Sequence, residues 1–115
     1  YVENAVEAKL LGCQWSKAPG EFMNIACGER VAVSGLCYMI GEIVDFECEP
    51  KLKPARSGDV RHSLADIERA LELIGYRPRV TLREGLARTV AHFRDVMGIP
   101  EPPPPPKKRR RVKPA

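Results

Sequence analysis

Residues 56–86 read RSGDVRHSLADIERALELIGYRPRVTLREGL. Their first eight positions hold two arginines, an aspartate, a histidine and a glycine, with neither a helical nor a strand period. That stretch reads as a polar loop, and Pro54 and Gly58 break regular structure around it. A helix follows, with Ser63 or Asp66 as its cap and Ile67, Ala70, Leu71 and Ile74 facing inward. Gly75 stands where a left-handed residue closes a helix, and Tyr76-Arg77-Pro78 forbids its continuation. Thr81-Leu82-Arg83-Glu84 has the T-x-x-E form of a capping box. The helix it opens carries Leu82, Leu86, Val90 and Phe93, and closes near Gly98.

Upstream, VENAVEAKLLGC places Val2, Ala5, Val6, Leu10 and Leu11 at a spacing that suits one buried helical face. Gln14 to Gly20 reads as a loop, with Ser16, Pro19 and Gly20 in it. EFMNIA, from residue 21, is short and rich in Phe, Met and Ile, and reads as a strand. CGER turns the chain, and VAV reads as a second short strand. Ser34 is positioned to cap a helix with Leu36, Met39, Ile40, Ile43 and Val44 on its apolar side. DFECEP, ending at Pro50, has the composition of another strand. Trp15 reads as packing under a loop, and Asn24 and Gly28 as a strand end and a tight turn.

Downstream the composition changes. Residues 102–106 are five consecutive prolines, an extended polyproline segment, and a basic run follows it. Nothing there can bury apolar surface, so residues 100–115 read as a disordered tail behind an ordered lobe of residues 1–99. The formal net charge of +4 comes from that tail: residues 107–113 hold six of the 19 Lys and Arg, leaving 13 basic against 14 acidic residues over positions 1–100. The body is therefore no general polyanion binder.

The 115 residues, 43% of them hydrophobic, suffice for one domain with a modest core. No apolar run approaches the ~20 residues that span a bilayer, and no signal peptide leads the chain, so the expected location is cytoplasmic and no membrane partner is expected. The first residue is Tyr1 and not Met, and the opening reads as the middle of something, a fragment or a processed piece. Cys13, Cys27, Cys37 and Cys48 show neither a CxxC nor zinc spacing, so no metal site is expected. Most lie within apolar patterns, which favours reduced, structural thiols.

Taken together, YVENAVEA, GEFMNIACGERVAV and the quoted 31-residue stretch resemble the C-terminal portion of the extended short-chain dehydrogenase/reductases, the NAD-dependent nucleotide-sugar epimerases and dehydratases. Within them the likeness runs to the UDP-glucose and UDP-N-acetylglucosamine 4-epimerases, and it covers roughly residues 1–97. The resemblance implies an α/β protein: the C-terminal substrate-binding α+β lobe of an extended Rossmann-type enzyme, with the Rossmann core missing. It implies a UDP-sugar ligand, an isomerase that uses NAD, a Rossmann domain that binds the NAD, and a homodimer in the full-length form. The sequence itself has no GxGxxG, and YVENA is not the family's Tyr-x-x-x-Lys, so the chain is expected to be inactive alone and to carry no catalytic or cofactor-binding residue.

The same resemblance implies roles for the polar loop. Arg56 of the R-x-G-D motif would contact the diphosphate and Asp59 the uridine ribose hydroxyls, with Gly58 between them and Arg61 beside them as further substrate-binding positions. The chemistry suits those residue types. A guanidinium meets phosphate oxygens bidentately, an ionised carboxylate is a pure acceptor for a vicinal diol, and glycine lets the backbone turn. The competing reading of the same residues is a solvated arginine and a turn-forming aspartate. For Arg61 the competing reading is an ion pair with a carboxylate, and His62 reads as a solvent-facing or locally packed side chain. The alternative for the whole chain is a non-enzymatic remnant whose basic tail, PKKRRRV, binds nucleic acid or another polyanion, or serves as a nuclear localisation signal.

Overall fold

The computed structural model describes residues 1–60 and 62–100. Arg61 and the Pro-rich, basic stretch from 101 onward lie outside them. Among the described residues four helices follow one another: α1 (Val2–Gln14), α2 (Val33–Val44), α3 (Glu68–Ile74) and α4 (Leu82–Met97). α1 packs on α3, and α2 on α4. None of these helices is long and apolar enough to cross a membrane.

The helix ends follow local chemistry. The Thr81 hydroxyl accepts from the Glu84 N–H at 3.3 Å and starts α4, satisfying one of the donors that a first turn leaves free. Gly75 (φ 66°) and Gly98 (φ 64°) close α3 and α4 in the left-handed region. At Gly75 the Tyr76 N–H returns to the Ala70 C=O at 3.2 Å, the pattern that turns a chain out of a helix. Asp66 contributes at α3, its Oδ1 accepting from the Glu68 N–H at 2.9 Å. Ser34 does not cap α2: the helix begins at Val33 behind Ala32, which makes no side-chain cap bond.

The strands expected at EFMNIA, VAV and DFECEP are not there among the described residues. A strand needs a neighbour to take its ladder bonds, and the described residues place none beside residues 21–26. That segment instead meets other groups one at a time: the Tyr76 hydroxyl donates to the Ala26 C=O at 3.1 Å, and the Asn24 amide to the Asp66 C=O at 3.2 Å. VAV runs into the start of α2, and 45–50 is an irregular return along it.

The core is small. Ala8, Ala70, Ile74 and Tyr76 are buried together, with Leu11, Ala18, Met23 and Leu73 packed around them. α1 buries Asn4 and Ala8, not the Val2–Val6–Leu10 stripe, which stays exposed. Asn4 binds α1 to the chain after α3. Its Oδ1 accepts from the N–H groups of Arg79 and Val80, both at 3.1 Å, and its Nδ2 donates to the Val80 C=O at 2.8 Å. Charged side chains bind the helices at the surface: Arg88 of α4 meets Glu3 of α1 and Glu84 of its own helix, both at 2.5 Å, and Arg83 meets Glu42 of α2 at 2.7 Å.

The thiols differ from expectation. Cys37 and Cys48 are joined in a disulfide, while Cys13 and Cys27 are free. The physical reason is the chain reversal at Asp45 (φ 56°, ψ 48°), which returns Cys48 along α2 to Cys37. A spacing of 11 residues does not reveal that reversal.

Candidate functional site

Residues 51–60 form an exposed connection between the irregular return after α2 and the approach to α3. Arg56 and Asp59 sit at the two ends of a tight turn, the Asp59 N–H donating to the Arg56 C=O at 3.3 Å. Gly58 holds φ 91° inside it, and no atom lies within 4 Å of the place its Cβ would occupy. The turn therefore needs glycine for its backbone and not for a close approach. Arg56, Gly58 and Asp59 are all exposed. Arg61 lies outside the described residues. His62 is exposed as well.

Two concavities elsewhere are larger features of the surface. The first, about 810 Å³, lies between α2 and its return and is lined by Glu42, Asp45, Glu47 and Glu49 with Tyr38 and Phe46. Four carboxylates repel a diphosphate, so this hollow is unsuited to a nucleotide's anionic handle. The second, about 550 Å³, runs between α1 and residues 18–25, with Ala8, Phe22, Met23, Ile25 and Ile74 among its walls. It is apolar and has Lys9 and Glu21 at its edge. Residues 56, 58 and 59 line neither.

Around the second groove the contacts are specific. Arg69 of α3 pairs with Glu21, and its guanidinium lies 5.1 Å from the centroid of the Phe22 ring. Gly28 (φ 69°) turns the chain against Ile67, whose Cδ1 is 3.3 Å from where a Cβ would stand. Trp15 is only half covered, with its ring 4.0 Å from the corresponding position at Gly75. Asn24, Gly28 and Trp15 thus serve packing and turns. The residue missed by sequence reasoning is Asn4: an asparagine in a helix that otherwise reads as apolar was the available signal.

Among the described residues near the core, Tyr76 is a titrating side chain whose acidity is shifted. Burial first, then the nearby Cys27 and Glu7, push its hydroxyl above the ordinary phenol value. Its hydroxyl donates to the Ala26 C=O, and it stands apart from the polar loop in the chain.

No family model matches the chain. Curated relatives do. The UDP-glucose 4-epimerase of Mycolicibacterium smegmatis is 38% identical over 76 residues, 66% of this chain and 24% of that protein. UDP-glucuronic acid decarboxylase 6 of Arabidopsis thaliana is 32% identical over 83 residues, 72% of this chain and 22% of that protein. Among solved structures, the UDP-glucose 4-epimerase of Thermotoga maritima with UDP-glucose superposes with a TM-score of 0.75 at 39% identity, over 84% of this chain and 31% of that one. The chain spans about a quarter of the length of the curated relatives it matches.

Proposed function

We propose that this chain, homologous to a segment of the UDP-glucose 4-epimerases and UDP-glucuronic acid decarboxylases, is the nucleotide-sugar-binding C-terminal lobe of an NAD-dependent sugar-nucleotide epimerase. The observation that carries this reading is the likeness, over most of the chain, to an epimerase solved with UDP-glucose. In this reading Arg56 clamps the diphosphate and Asp59 accepts from the ribose hydroxyls, with Gly58 holding the turn that separates them. Arg61 is assigned beside them on sequence alone. A charge-assisted fork on phosphate and a carboxylate on a diol bind the nucleotide handle and leave the sugar free to be turned.

NAD supplies hydride transfer in such enzymes. The residues present here do not fit it. Among the described residues, no glycine-rich turn joins a strand to a helix N-terminus: α2 opens behind Ala32, and α4 behind Thr81 on the Arg79–Val80 backbone already held by Asn4. In this reading NAD belongs to a dinucleotide-binding domain that partners this lobe, and the lobe by itself is expected to turn over no substrate. The full-length form is a homodimer in this reading, and its location is cytoplasmic. The alternative, a polyanion-binding module, rests on residues 107–113, outside the described residues.

The test is a chimera. The segment of the Thermotoga maritima epimerase that superposes on this chain is replaced by the corresponding residues of this chain, and UDP-glucose is titrated into the product. Arg56→Ala should weaken UDP-glucose binding by about ten- to a hundredfold, the loss of one charge-assisted contact, with bound NAD unchanged. An identical titration curve for the variant would refute the assignment.

A further inference from the structure

We propose that Cys37 and Cys48 form a reversible thiol–disulfide clasp that fastens the chain after α2, and with it the approach to the Arg56–Asp59 turn, onto the α2 surface. Three observations meet there. Asp45 takes a left-handed conformation and reverses the chain, and the Phe46 N–H then donates to the Gly41 C=O at 2.8 Å. Gly41 is buried, and a Cβ on it would stand 2.6 Å from the Phe46 oxygen and 3.2 Å from the Cys48 Cβ. The returning backbone thus rests directly on the helix, and only glycine permits that approach. Cys37 lies one helical turn before Gly41 on the same face, and its Cα is 6.6 Å from that of Cys48, within bridging range.

Beyond Cys48 the fastening stops. Residues 51–60 are exposed throughout. Among the described residues, no hydrogen bond or ion pair joins positions 49–65 to another part of the molecule. The next anchor is Asp66, whose C=O takes the Asn24 amide. A long connection is therefore held at its upstream end by one hydrogen bond, a glycine contact and one S–S bond. Both sulfurs belong to half-buried residues, so a dithiol can reach them, and accessible disulfides are the exchangeable ones.

The exchange balances simply. A thiolate of a dithiol reductant attacks one sulfur of the bridge, forming a mixed disulfide and releasing the other cysteine as its thiol. The reductant's second thiol then displaces the first cysteine. The Cys37–Cys48 bond is broken, both side chains gain a proton, and the dithiol leaves as its own disulfide, having supplied the two electrons. That the clasp bears on ligand capture rests on the reading of Arg56 and Asp59 above; the clasp itself does not.

The test uses the full chain and no ligand. After incubation with oxidised glutathione, the mass of the chain should show the Cys37–Cys48 bridge, with glutathione added only at Cys13 and Cys27, and after dithiothreitol all four cysteines of the unfolded chain should be alkylated. Hydrogen exchange at residues 41–49 should be about tenfold faster in the reduced chain, since a short closed loop is released, while α1 exchanges at the same rate in both. Cys37→Ser should reproduce the fast exchange without reductant and show no response to it. If that variant misfolds, the reduced and reoxidised native chain carry the comparison. Absence of the Cys37–Cys48 bridge after oxidised glutathione, a bridge through Cys13 or Cys27, or equal exchange at 41–49 in both states would each overturn the proposal.

Discussion

Asn4 does for the chain after α3 what a neighbouring strand would do. One side-chain amide accepts two backbone N–H groups, of Arg79 and Val80, and donates to the Val80 C=O. Asn4→Ala leaves those groups without partners in a buried place. Unsatisfied buried groups cost about 1–3 kcal/mol each, partly relieved by water, so urea unfolding should show a loss of about 3 kcal/mol. A loss below about 0.5 kcal/mol, the size of an ordinary surface change, would show that the clamp is idle. Tyr76 gives a second prediction at this scale. Its hydroxyl donates to Ala26, and burial, with Cys27 and Glu7, raises its pKa above 10.0. An acid whose folded pKa is raised is bound to its proton more firmly when folded. Its stabilisation is whole below the unfolded value and is lost as pH rises from about 10 through the folded value. Tyr76→Phe should cost about 1 kcal/mol at neutral pH and flatten the alkaline fall in stability. An unchanged alkaline slope in the variant would assign that fall to other groups.

The elements were legible where their signals are local. Thr81, Gly75 and Gly98 each mark a helix end by chemistry confined to one turn, and the structure uses all three as caps. Thr81→Ala should accordingly cost about 1 kcal/mol, read as a drop in thermal midpoint with unchanged helix content at low temperature; a midpoint that does not move would mean the cap carries nothing. Signals that depend on a distant partner were not legible. Residues 21–26 have the composition of a strand, but strand formation belongs to a pair, and the described chain holds no second member beside them. The Cys37–Cys48 bond escaped for the same reason: it depends on the reversal at Asp45, a non-glycine residue in the left-handed region, which no residue type announces. Ser34 looked like a cap because its hydroxyl suits one, while the helix starts one residue earlier without it. The fold class itself was legible. The chain superposes on 31% of a UDP-glucose 4-epimerase at 39% identity, and the motif order of the quoted 31 residues carried that likeness. The polar loop was legible as a loop, but its ligand is a matter of chemistry that an exposed turn does not display.

At the scale of the molecule, the expected inner face of α1 is an outer one. Val2, Val6 and Leu10 recur at four-residue intervals along one side, and each is at least half exposed. They form one wall of an open groove of about 470 Å³ that continues onto Arg79 and Val80. α4 repeats the pattern at its far end, where Phe93, Val96 and Met97 are also more than half exposed. Buried large side chains are few by comparison: Ile74 and Tyr76 are the two that solvent hardly touches. Apolar stripes at helical spacing form where a surface is covered, and contiguous exposed ones mark contacts. The chain studied alone should therefore bind a hydrophobic dye and associate with itself as its concentration rises. Val6→Asp with Leu10→Lys separates this from loose folding. If the stripe is a contact surface, the double variant should change unfolding free energy by less than about 0.5 kcal/mol, as exposed positions do, while sedimentation shifts toward the monomer and dye binding falls. If those side chains belonged to the chain's own core, the same variant would lose several kcal/mol, about 1.5–3 for each large apolar side chain returned to water. Dye binding would then rise. The two signs are opposite, so a single pair of measurements decides whether α1 faces inward or outward.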